Sequence, residues 1–121
     1  MRIVILATAF VAALIGMAQP AGAAEPNGTW VRPNGEVAQI SQRGGHLYCK
    51  IVTGKSPGFE MCNGMAKTGE DTWQGSAMKH PEMPGFMTFN GTVTVQAASL
   101  SIKGCAIGQM MCDAETWKRK K

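Results

Sequence analysis

Residues that carry catalytic chemistry are scarce in this chain: two histidines, one tyrosine and eight carboxylates among 121 residues. His46 and His80 are far apart in sequence, and neither has a carboxylate in a familiar relation to it. Asp113 and Glu115 lie two apart on an expected strand and so share a face, an acid pair that equally suits a solvated surface. Gly54-Lys55-Ser56-Pro57-Gly58 matches the nucleophile-elbow pattern letter for letter. That motif needs a strand, a sharp turn and a helix, whereas here a proline follows the serine and no helical pattern comes next. A loop accounts for these residues better. With no acid–base constellation, the chain reads as a protein that binds and performs no reaction.

Other absences narrow the class further. No cysteine pair has the close spacing of a structural zinc site. No segment beyond the first two dozen residues holds a helical period, and there is no internal repeat, linker or low-complexity stretch. The positive charge is largely a tail, "KRKK" at residues 118–121; without it, the chain after residue 23 carries seven basic and eight acidic side chains. A domain with no basic face is a poor partner for nucleic acid. The single long apolar run, Ile3 to Ala18, is too short for a membrane-spanning helix. Preceded by Arg2 and followed by "QPAGAA", it has the three-part layout of a secretory signal over residues 1–23. Cleavage is expected after Ala23, with Ala24 as the alternative, and no transmembrane segment would remain. The first cysteine is Cys49, which argues against lipid attachment at the cut. A periplasmic or secreted location follows.

What is present is a chain of about 98 residues after cleavage, rich in strand and turn signals. One domain is expected over residues 24–117, followed by the basic tail. Asn34-Gly35, Asn63-Gly64 and Asn90-Gly91 each suit a tight hairpin. Short strand-type runs lie between them: "TWVRP", "EVAQISQ", "HLYCKIVT", "DTWQGSAMK", "FMTFNGTVTVQ", "LSIKGC" and "CDAETWKR". Val93 and Val95 share one face, as do Leu100 and Ile102. Seven or eight such strands joined by close turns predict an all-β sandwich or barrel. Residues 54–61 are the most loop-like.

Four cysteines in a domain this small suit an oxidising compartment and two disulfides. Cys105 and Cys112 fall on the two arms of an expected hairpin, which leaves Cys49 to pair with Cys62. Four cysteines allow three pairings, and the spacing leaves the other two open. Seven methionines follow the signal, with Met78, Met83 and Met87 clustered in "MKHPEMPGFM". Met78 and His80 share a face if this stretch is extended, and Pro81 biases His80 that way. Thioethers are soft donors that select Cu(I), so Met78, His80, Met83 and Met87 form a candidate soft-metal set. The competing explanation is packing, because methionine fills irregular gaps in small cores.

The closing stretch, "LSIKGCAIGQMMCDAETWKR", resembles the ending of the bacterial family called domain of unknown function 2147. The matching elements are Gly104, Cys105, Cys112, Thr116, Trp117 and Arg119. "NGTW" with Trp30 and "GGHLYCKIV" are similar to earlier parts of that family. Cys62 and the methionine-rich stretch depart from it, and its aromatic, acidic middle is shortened here. The resemblance implies a small exported antiparallel barrel and assigns no catalytic residue. A wider likeness is to lipocalin-type (calycin) barrels, which begin with Gly-x-Trp and set a last-strand arginine over the indole. Gly28, Trp30 and Arg119 would take these structural parts, with Trp117 beside them. The interior of such a barrel is nearly filled, or holds one small ligand. The expected function is a monomeric envelope accessory protein that holds a small apolar ligand or an envelope protein at the barrel mouth. Tyr48, Phe59, Phe86 and Phe89 are the candidate lining and no cofactor is expected. Cu(I) or Ag(I) binding is the first alternative, and inhibition of a hydrolase through a loop such as 55–61 is the second.

Overall fold

In a computed structural model, residues 24–121 are described, and the expected signal at 1–23 lies outside them. Eight antiparallel strands follow one another around a closed barrel. They are β1 (Gly28–Val31), β2 (Val37–Arg43), β3 (His46–Ile51), β4 (Glu60–Lys67), β5 (Thr72–Met78), β6 (Phe89–Val95), β7 (Ser99–Ile107) and β8 (Met110–Arg119). Alternation decides what points inward. Trp30, Ile40, Leu47, Ile51, Trp73, Val93, Val95, Leu100, Ile102 and Trp117 are buried, and polar residues flank most of them. Full burial of each of these aliphatic side chains stabilises by roughly 1.5–3 kcal/mol, and the indoles bury more area still.

Both disulfides join cross-strand partners. Cys49 faces Cys62 across β3 and β4, and Cys105 faces Cys112 across β7 and β8. Their Cα atoms are 4.6 and 4.0 Å apart. Loops of this scale stabilise by about 2–4 kcal/mol when closed.

Two expected turns prove to be strand interior. Asn34-Gly35 is a turn, with Gly35 at φ 90° donating its N–H to the Arg32 carbonyl. Asn63-Gly64 instead lies within β4, beside shifts in the β3–β4 register. The Asn63 amide donates to the Ala77 carbonyl at 2.9 Å, bridging β4 to β5 where their ladder has only two paired positions. Asn90-Gly91 lies in β6, paired with Cys105 and Gly104. Gly75, Gly91 and Gly104 form a row across β5, β6 and β7. A Cβ on Gly91 would come 2.6 Å from Met78 Sδ, and one on Gly75 would come 3.3 Å from Met65. These glycines leave a trough on the inner wall, which Met65 and Met78 fill. A local Asn-Gly reading misses this because the constraint comes from methionines on other strands.

The tail boundary also moves. β8 runs through Arg119, and Lys118 and Arg119 pair with Val31 and Trp30, so half of the expected tail completes the barrel. Likewise the β3–β4 loop ends at Phe59, because Glu60 and Met61 belong to β4.

Candidate functional site

The two ends of the barrel differ. At one end sit the Gly44-Gly45 turn, the links at 68–71 and 96–98, and both ends of the barrel chain. Trp30 is wholly buried there and its indole N–H donates to the Pro26 carbonyl at 2.9 Å. The Arg119 guanidinium lies over that indole, 4.3 Å from the ring centroid. It also donates to the carbonyls of Ala97 and Asn27, at 3.0 and 3.3 Å, and to that of Glu25. One side chain thus ties the entering chain and the β6–β7 link across the barrel floor. Gly28 lies beside it, and its φ of 131° suits glycine, although a Cβ there would make only ordinary contact with Arg119 Nη1 at 3.5 Å.

The other end is open. The turn at 33–36, the loop at 52–59, the connection at 79–88 and the β7–β8 hairpin tip surround it. A cavity of about 410 Å³ enters the barrel here. Its apolar wall includes Met61 of β4, Met78 of β5, Phe89 of β6, Ile102 and Ala106 of β7, and Met111 of β8. His80, Glu82 and Met83 come from the β5–β6 connection, and Asp113 and Glu115 come from β8. Two successive turns shape that connection, closed by Met83 N–H to His80 O at 3.1 Å and Met87 N–H to Pro84 O at 3.0 Å. Pro81 occupies the second position of the first turn, where its fixed φ is suited.

An ion network forms the polar side of the mouth. Arg32 is buried, although it carries a full charge. Its Nε donates to Glu115 at 3.0 Å and its Nη1 to Glu36 at 2.6 Å. The Trp117 indole donates to the same Glu115 oxygen at 2.6 Å. For Glu36, desolvation works to raise the pKa, but hydrogen bonds from Asn34 and Arg32, with the Arg32 charge, outweigh it and hold the carboxyl below its ordinary value. Among the described residues, Arg32 makes every salt bridge.

The sequence candidates disperse. Of the four aromatics expected at the mouth, Phe89 lines the cavity. Phe59 packs against the core, Phe86 is 85% exposed, and Tyr48 lies on a shallow outer groove under Arg43, 3.9 Å from its guanidinium carbon. Of the soft-metal set, Met78, His80 and Met83 line the cavity and Met87 does not. The His80 Nδ1 accepts the Glu82 N–H at 3.2 Å, which takes up that nitrogen's lone pair. Among the described residues, no group of three His, Cys, Asp or Glu side chains is placed to hold a metal. Sequence reading missed Arg32, Met61 and Met111. Arg32 had a signal, since it is two residues from Trp30 and shares its inward face.

These features define a closed eight-stranded barrel with a tied floor and an open mouth. Residues 53–119 match the family described as "Uncharacterized protein conserved in bacteria (DUF2147)", and the chain belongs to that family. No curated protein and no solved structure matches the chain.

Proposed function

We propose that the protein is an exported, non-enzymatic carrier that holds a small, largely apolar ligand in the open end of its barrel. The observation that carries this reading is the cavity of about 410 Å³, within the range of small-molecule sites, with four methionines, Phe89 and Ile102 on its wall. The rim supports it. Among the described residues, the exposed large apolar side chains are Met83, Phe86, Ile107, Met110 and Met111, all on the β5–β6 connection or at the tip of the β7–β8 hairpin. Concentrated apolar surface of this kind marks interaction sites. The two disulfides and the bacterial family suit an oxidising envelope compartment.

The test is titration with a fluorescent naphthylamine probe, comparing the wild type with Ala106→Trp. Ala106 is exposed at the rim and lines the cavity, so an indole there blocks entry without disturbing the core. Saturable binding that the variant loses is the expected result. Equal probe responses in both proteins, or none in either, would reject the reading.

Soft-metal binding is a second reading, and one observation favours it: four of the thioethers, Met61, Met78, Met83 and Met111, line one cavity. The sulfurs would be the main ligands, since His80 Nδ1 is taken up by the Glu82 N–H. Anaerobic Cu(I) titration against a competing chelator checks it, with Met83→Leu expected to weaken the site. No tight site, or an unchanged one in the variant, would sink it.

A further inference from the structure

The mouth is acidic as well as apolar, and this restricts the ligand. Glu82, Asp113 and Glu115 line the cavity, and no lysine or arginine does. Arg32, buried beside it, already donates to both Glu36 and Glu115 and has no free face to offer an anion. Lys79, at the start of the same connection, donates its ammonium to the Gly85 carbonyl at 2.6 Å. His80 Nδ1 is taken up by the Glu82 backbone N–H at 3.2 Å. Glu82 and Asp113 are both exposed and without a salt-bridge partner among the described residues.

On the reading that the cavity is a ligand site, we infer that its ligand is a lipophilic cation: an apolar body bearing a protonated amine or quaternary ammonium. The apolar part lies along Met61, Met78 and Ile102. The cationic part lies near Glu82 and Asp113 at the rim, where the Phe89 ring adds a π face. A fatty-acid carboxylate entering the same mouth meets two like charges and no lysine or arginine in the lining, so its lost hydration is poorly compensated. A neutral chain gains burial alone.

Calorimetric titration with decyltrimethylammonium, decanol and decanoate, all below micelle formation, tests this on the full mature chain. The ammonium is expected to bind roughly tenfold more tightly than the alcohol, and the carboxylate more weakly than both. In the double variant Glu82→Gln with Asp113→Asn, that preference falls to about onefold while decanol affinity is unchanged. Both side chains are exposed, so the fold survives, as near-ultraviolet circular dichroism would verify. Equal affinity for all three probes, or a preference for decanoate, overturns the inference and leaves ligand binding intact. A preference for the ammonium that persists in the double variant overturns the assignment to these carboxylates. Failure of all three to bind removes the cavity as a site, and the inference with it.

Discussion

Arg119 and Trp30 are direct partners in the β1–β8 pairing, and the guanidinium of one covers the indole of the other at 4.3 Å. The contact joins the first strand of the barrel to the last, so it closes the sheet as well as its floor. Stacking contributes about 1 kcal/mol, and the hydrogen bonds to Ala97, Asn27 and Glu25 carbonyls add to it. Arg119→Ala should therefore destabilise by about 2 kcal/mol in denaturant unfolding. Arg119→Lys should recover less than half, because an ammonium lacks the planar fork that reaches three carbonyls. A loss below about 0.5 kcal/mol for the alanine variant would reject the clasp, since that is the range of ordinary surface substitutions.

Glu115 is the hub of the open end, accepting from both Arg32 and Trp117. Glu115→Gln leaves Arg32 with one carboxylate instead of two, at a site where water enters. The expected loss is about 2 kcal/mol, less than the cost of breaking a fully buried pair because Glu115 is partly solvated. In a double-mutant cycle, Arg32→Met and Glu115→Leu together should cost at least about 1 kcal/mol less than the sum of the two alone. Additive losses would mean that the pair is not coupled.

Gly91→Ala tests the glycine trough. The added methyl meets Met78 Sδ and Cβ, at 2.6 and 3.0 Å, and Met65 Cε at 3.3 Å. Overpacking of this kind costs about 1–3 kcal/mol, and the flexible Met78 keeps the cost toward the lower end. In a Met78→Ala background the same change should cost little, as the space is already empty. An equal cost in both backgrounds would place the conflict in the β6 backbone instead.

Acid should weaken the mouth through Glu36. Its folded-state pKa lies below the ordinary value of 4.5, so the proton binds the unfolded chain more readily than the folded one. The stability that Glu36 contributes is therefore complete above that ordinary value and is lost as pH falls through the lower, folded one. Unfolding free energies of the wild type and Glu36→Gln should differ by a constant amount near neutrality and converge in acid. A difference that does not change with pH would show that the carboxylate charge is not what matters.

The alternation of apolar and polar residues made the strands legible, because side-chain direction along a strand has a period of two whatever the neighbour. The pairing of Cys105 with Cys112 was readable for a similar reason: a separation of seven with a glycine turn between them brings the arms of one hairpin face to face. The Gly28, Trp30 and Arg119 floor was legible as a resemblance, since its members sit at fixed places near the two ends of the chain. The "MKHPEMPGFM" connection was correctly placed between two strands, and its prolines shape the bends there.

The open end was a different matter. Arg32 and Glu115 are 83 residues apart, and the cavity takes its wall from five strands, so no local pattern could select its members. Bulges in the β3–β4 and β5–β6 pairings shift the register, and every shift changes which side chains face the interior. The extra residues lie in β4 and β5, the strands of Met61, Met65 and Met78, whereas Tyr48 and Phe89 keep the plain alternation of their own strands, outward beside Leu47 and Cys49 and inward with Gly91 and Val93. By itself the sequence determined the strands and the hairpin that carries Cys105 and Cys112, since each depends on local period or short-range closure. Which charges and thioethers meet in the mouth was decided only by closure of the barrel, because closure alone brings β1 against β8 and sets the register of distant strands.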